Sequence, residues 1–180
     1  IGFRGNNTRV DSNYLNGVCS VLADGGAIYT YNGSNATFTG RKVRNNIITN
    51  SPNAEAIYMD DLANGVLIDN NSVSGCNTGI YLHGNTNIQV TNNTLFNNVA
   101  QIKMADENGE LFSLMTITGN KCIAYTSSQQ AFLCWVRTNY ISSLGTINNN
   151  YYARPIDDIL TIAVQIASPT YSYTNYNLAQ

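Results

Sequence analysis

The sequence predicts an all-β solenoid of about six stacked coils, on three observations. An asparagine-centred segment recurs along the chain, a second short strand recurs between those asparagines, and apolar residues in the second alternate with period two. The aligned asparagines are Asn13, Asn46, Asn71, Asn93, Asn120 and Asn150, so the coils span 33, 25, 22, 27 and 30 residues. Helical-hairpin arrays keep a fixed repeat length, whereas strands in register tolerate loops that vary, so this drift points to stacked strands.

Val10-Asp11-Ser12-Asn13-Tyr14-Leu15 opens the series, and Val43–Ile48, Ile68–Val73, Val90–Leu95, Ile117–Cys122 and Ile147–Tyr152 repeat it. Asparagine suits such corners because it tolerates a left-handed backbone and bonds nearby main chain. Stacked at about the 4.8 Å strand spacing, the same residues can also bond amide to amide as a ladder. Between the corners lie Ala27–Tyr31, Ala56–Asp60, Gly79–His83, Gln101–Ala105 and Ala131–Trp135. Alternation turns Ile28, Ile57, Ile80, Ile102 and Phe132 toward a core and the residues between them toward water. Residues 1–155 are thus expected as coils. Residues 156–180 are expected as a last strand, starting near Ile159, and an extended aromatic tail carrying Tyr171, Tyr173 and Tyr176. Opening at Ile1 inside repeat sequence, the chain reads as a segment of a longer protein whose open coil ends favour self-association.

Composition narrows the function. Charged residues make up 11% of the chain, and 28 asparagines supply much of its polarity. The 9 Lys and Arg against 11 Asp and Glu are scattered, so no basic face for nucleic acid is evident. No apolar run approaches the roughly 20 residues that cross a bilayer. Cys19, Cys76, Cys122 and Cys134 form no CxxC pair and, with one histidine, make a zinc site improbable; each reads as a small buried side chain.

Stacking converts the repeat into columns. One outward column holds Tyr29, Tyr58, Tyr81, Lys103 and Leu133, and its neighbour holds Tyr31, Asp60, His83, Ala105 and Trp135. Asp61 follows Asp60 at the bend, and Arg137 lies two residues past Trp135. Aromatic faces beside hydrogen-bonding groups suit a sugar, so Tyr29, Tyr31, Tyr58, Tyr81, Lys103, Trp135 and Arg137 are candidate binding residues. Asp60 and Asp61 are candidate acid and base for a glycosidic bond if their side chains diverge at the bend, with His83 sharing a proton. A rival reading makes the aspartates turn formers and the tyrosines a packing ladder. Asp24 and Glu55, at the opposite end of the strands, form a second candidate pair. No cofactor is expected, apart from Ca²⁺ on the loop carboxylates Asp106, Glu107 and Glu110, which also read as a solvated acidic loop.

The Asn-Asn-x-hydrophobic corners and Ala/Gly-Ile-Tyr strands resemble the right-handed parallel β-helix superfamily, the pectin-lyase-like fold, over roughly residues 7–153. Right-handedness follows from that resemblance. Asp60-Asp61, His83-Gly84 and Ile102-Lys103 resemble a polygalacturonase-type set, which implies acid and base at Asp60 and Asp61 and a substrate carboxylate at Lys103. Tyr31 or Asn32, Leu82 and Gln101 depart from that pattern. Asp24-Gly25-Gly26 and Ile57-Tyr58-Met59-Asp60-Asp61 resemble bacterial β-helix glycoside hydrolases of the fucosidase and xylanase type. The expectation is a secreted or surface module that binds and hydrolyses a polysaccharide. The alternatives are a lyase with Lys103 or Arg137 as base, or a non-catalytic tailspike, adhesin or filament segment.

Overall fold

A computed structural model describes residues 1–21, 24–34, 36–157 and 161–177 of the chain. Its strands are β1 (Arg9–Asp11), β2 (Tyr14–Asn16), β3 (Gly26–Thr30), β4 (Arg41–Arg44), β5 (Ile47–Met59), β6 (Asn64–Asp69), β7 (Ser72–His83) and β8 (Thr86–Thr91). They continue as β9 (Thr94–Phe96), β10 (Ala100–Ala105), β11 (Met115–Thr118), β12 (Lys121–Ile123), β13 (Gln130–Thr138), β14 (Gly145–Asn148), β15 (Tyr151–Ala153), β16 (Ile162–Ser168) and β17 (Ser172–Tyr176). No α-helix occurs among the described residues.

Each coil has three sides. One is the six-stranded parallel sheet β1-β4-β6-β8-β11-β14. The second stacks β2, the first part of β5, the first part of β7, β9, β12 and β15 in parallel register. The third stacks β3, the ends of β5 and β7, β10, β13 and β16. The long strands β5 and β7 run through the corner between the last two sides, where their register shifts between Ser51 and Glu55.

Identical columns build the core. Val10, Val43, Ile68, Val90 and Ile117 pair in register on the first side, and Ile28, Ile57, Ile80, Ile102 and Phe132 on the third. All ten are buried in one cluster, each contributing about 1.5–3 kcal/mol of hydrophobic stabilisation. Strict alternation fails at one step: Ala27, Ala56 and Ala131 join the core beside Ile28, Ile57 and Phe132 instead of facing water. The pairing skips these alanines, as it does where a strand bends at a corner.

The asparagine ladder forms as the spacing predicts. Nδ2 of Asn13, Asn46, Asn71, Asn93 and Asn120 each donates at 2.9 Å to Oδ1 of the next, ending at Asn150. The second Nδ2 hydrogen bonds main chain, as from Asn93 to the Ile68 carbonyl. The left-handed conformation falls one residue earlier, at Ser12, Asn45, Asn70, Asn92, Gly119 and Asn149. One residue of each pair therefore turns the chain while its successor forms the buried ladder; Asn45, Asn70 and Asn92 add exposed bonds to Asp11, Asn45 and Asp69 of the preceding coil.

The C-terminal segment, read from the sequence as a last strand and an extended aromatic tail, holds two strands. β16 stacks on β13 as a further parallel strand, and β17 folds back antiparallel on β16, covering that edge. Ile159 and Leu160, where the last strand was expected to start, lie outside the described residues. All four cysteines are free; Cys76, Cys122 and Cys134 are buried, and burial pushes the thiols of Cys122 and Cys134 up to about 12.

Candidate functional site

At the ends of β5 and β7 the third side turns toward β6 and β8, and this bend gathers the chemistry. Asp60 and Asp61 follow β5, while His83 ends β7 one coil on. His83 Nδ1 lies 3.1 Å from Asp60 Oδ1 and 3.2 Å from Asp61 Oδ1. The carboxylates therefore converge on the imidazole rather than diverge. The Asp61 main-chain N–H donates to Asp60 Oδ1 at 2.8 Å, which curls the first carboxylate back over the second residue. Leu62 then takes a φ of 63°, a left-handed conformation costing a non-glycine residue about 1–2 kcal/mol.

Asp60 is the most heavily bonded group. Tyr29 Oη donates to its Oδ2 at 2.6 Å, and Tyr58 Oη to its Oδ1 at 3.0 Å. Burial alone would raise its pKa, but the bonds from His83, Tyr29, Asp61 N–H and Tyr58 hold it down to about 2. Asp60 is thus an ionised acceptor. Burial pushes the His83 imidazole down, yet the bond to Asp60 and the charges of Asp61, Asp60 and Glu107 outweigh it and raise its pKa. Burial and the neighbouring carboxylates raise the Tyr29, Tyr58 and Tyr81 phenols, keeping them protonated donors.

The tyrosine column serves this cluster rather than water. Tyr58 and Tyr81 stack with centroids 4.7 Å apart and are each 5% exposed, with Tyr29 and Trp135 packed against them. Their ring faces are therefore covered, whereas Tyr31 is exposed. Lys103 Nζ sits 4.3 Å from the Tyr81 ring centre and 3.5 Å from Glu107 Oε1. Arg137 lies outside the cluster; its N–H donates to Asp106 Oδ1, and its guanidinium covers Gly109.

Two carboxylates change places relative to the sequence reading. Glu107, expected in an acidic loop, folds over the site, with Oε2 3.3 Å from Tyr81 Oη and 3.9 Å from His83 Nε2. Asp106, its neighbour, is fully buried and accepts from Arg137 N–H and Tyr140 Oη, so Asp106, Glu107 and Glu110 do not converge as a calcium loop would. Among the described residues, the convergent group of potential metal ligands is Asp60, Asp61 and His83. Asp24 and Glu55 are not brought together with it. Asp24 is exposed, and Glu55 is 8% exposed with both oxygens held by Asn77 Nδ2 at 3.1 and 3.3 Å.

Three supporting residues escaped sequence reasoning. Asn108 donates to Asp61 Oδ2 at 2.8 Å, and Asn85 donates to the Asp60 carbonyl at 3.0 Å. Arg41 is buried beneath the bend, bonded to the Asn64 carbonyl and to Asn32 Oδ1, and burial lowers its pKa to about 10. Its position opening the sheet strand β4 gave the only signal, a cation at an inward-alternating site.

The family model for the right-handed β-helix region matches residues 2–147. The chain belongs to the right-handed β-helix family. Neither the curated proteins nor the solved structures yield a match. The match spans the coils that carry the Asp60–His83 cluster, so the cluster belongs to the β-helix itself and not to an appended element. No helix among the described residues of this β-helix is long and apolar enough to cross a membrane.

Proposed function

We propose that this β-helix is a carbohydrate-active module, secreted or at a cell surface, that binds a polysaccharide and hydrolyses it beside His83. The observation carrying the reading is the double placement of Tyr29. Its ring lines an open hollow of about 360 Å³ with Tyr31, Phe3 and Arg4, and its hydroxyl anchors Asp60. A hollow of that size, walled by aromatic side chains and one cation, accepts a sugar ring next to the carboxylates.

Asp60 and Asp61 alone make a poor acid–base pair. Their ligand oxygens lie within 4.8 Å of each other, under the roughly 5–9.5 Å by which hydrolytic carboxylates flank a glycosidic bond. Glu107 stands across the imidazole from Asp61 and is the better second partner, with its side chain 48% exposed. In this reading one of the two protonates the leaving oxygen and the other activates water, while Asp60 orients His83 between them. A lyase base at Lys103 is less favoured, because its ammonium is already engaged by Glu107 Oε1 at 3.5 Å and by the Tyr81 ring.

Reducing-end release across a panel of polysaccharides tests the proposal. Turnover of one glycan, lost in Asp61→Asn and in Glu107→Gln, is the expected result. Binding on a glycan array with no turnover of the bound glycan would favour a non-catalytic adhesin or tailspike segment, a reading supported by the covered tyrosines.

A further inference from the structure

We infer that Asp60, Asp61 and His83 form a binding site for a divalent first-row transition-metal ion, with Oδ1 of each aspartate and Nδ1 of the histidine as ligands. These three atoms lie within 4.8 Å of one another, with Nδ1 at 3.1 and 3.2 Å from the two oxygens. Nδ1 carries at most one hydrogen, and it bonds Asp60. Asp61 Oδ1 is left buried with no hydrogen-bond partner. An ion between the three atoms takes the place of the Nδ1 hydrogen and supplies the partner that Asp61 Oδ1 lacks, while Asp60 Oδ1 keeps its bonds from Asp61 N–H and Tyr58 Oη. Ligands held about 2.0–2.2 Å from one ion stand roughly 2.8–3.6 Å apart, which brackets both distances from Nδ1.

A second observation is independent of that convergence. The other polar atom of each ligand faces its own supporting side chain. Tyr29 Oη donates to Asp60 Oδ2 at 2.6 Å, and Asn108 Nδ2 donates to Asp61 Oδ2 at 2.8 Å. His83 is 6% exposed, and its Nε2, which has no hydrogen-bond partner, faces Glu107 Oε2 at 3.9 Å. Metal-bound histidines commonly turn their free N–H to a carboxylate, and ligating carboxylates are themselves hydrogen-bonded. With the ion on Nδ1 the hydrogen sits on Nε2, on the side of the ring that faces the Glu107 carboxylate.

One imidazole with two carboxylates suits zinc, manganese, iron or cobalt, whereas Ca²⁺ takes oxygen ligands. The ion is tested with no glycan present, and it competes with the acid–base role proposed above for Asp61.

The test is calorimetric titration of the whole chain, stripped with a chelator, with Zn²⁺ and no glycan present. Expected is saturable binding of one ion per chain, abolished in His83→Gln and Asp61→Asn, unchanged in Asp24→Asn, and weakened about 10- to 100-fold in Glu107→Gln. Co²⁺ loading of the wild-type chain should give visible absorption bands of a nitrogen- and oxygen-ligated ion. Absence of saturable binding to the wild type overturns the inference whatever the variants do. So does binding that survives both His83→Gln and Asp61→Asn.

Discussion

Tyr29 Oη donates to Asp60 Oδ2 at 2.6 Å across one coil step, and the same tyrosine stands edge-on to Tyr58 with centroids 5.4 Å apart. One side chain thus belongs both to the aromatic column and to the carboxylate cluster. Tyr29→Phe keeps the ring contact and deletes the bond to an ionised acceptor. A loss of about 1.5–3 kcal/mol is expected at neutral pH, read from urea denaturation followed by circular dichroism. A change within error would mean that the bond does not hold Asp60.

The paired asparagines divide their labour, and the division is measurable. Asn93 is fully buried; its Oδ1 accepts from Asn71 N–H and Nδ2, and its Nδ2 donates to Asn120 and to main-chain carbonyls. Asn93→Gly strands several buried polar groups at about 1–3 kcal/mol each. Asn92, with a φ of 56°, is exposed and turns the chain. Asn92→Gly satisfies the same backbone and gives up one exposed bond to Asp69 Oδ1, so it should cost about 1 kcal/mol or less, well below the Asn93 variant. Equal losses in the two variants would refute the division.

Much of this fold was legible because its signal is one-dimensional. Ladder register follows from the spacing of Asn46, Asn71, Asn93 and Asn120, and a stacked strand cannot slip by one residue without exposing Ile57 and Ile80. The columns likewise brought Asp60 to His83. Burial on the outward face was not legible, since Tyr58 and Tyr81 become covered only by their neighbours in adjacent coils and by Trp135. Glu107 escaped for a related reason: it lies in the turn after β10, where no periodicity fixes direction, and it folds back over Tyr81. The bend that sends both Ala56 and Ile57 inward has no counterpart in a period-two pattern.

Gly84 follows His83 with a φ of 55°, and a Cβ there would lie 2.5 Å from Glu110 Cβ and 2.7 Å from the Glu110 carbonyl oxygen. Both the backbone conformation and the close approach require glycine. Gly84→Ala should lower stability by about 2 kcal/mol or more, the sum of the left-handed penalty and the displaced loop. Thermal melts of the two proteins check it. An unchanged melting temperature would show that the loop carrying Glu110 yields without cost.

Glu55 gives the pH dependence its sign. Burial raises its pKa above the ordinary 4.5, against the lowering effects of the Asn77 bond and the Lys103 charge. A carboxyl whose folded value exceeds its unfolded one favours folding fully below 4.5, and that contribution is lost as pH rises through the folded value. The site therefore disfavours the carboxylate relative to water. Glu55→Gln keeps an amide for Asn77 to bond and removes the charge, so the variant should be more stable than wild type at neutral pH. Below 4.5, where both proteins carry a neutral side chain, the advantage should disappear. Urea midpoints for the two proteins across that range decide the matter. A variant less stable than wild type at neutral pH would mean that the Lys103 charge and the Asn77 bond outweigh the burial of Glu55.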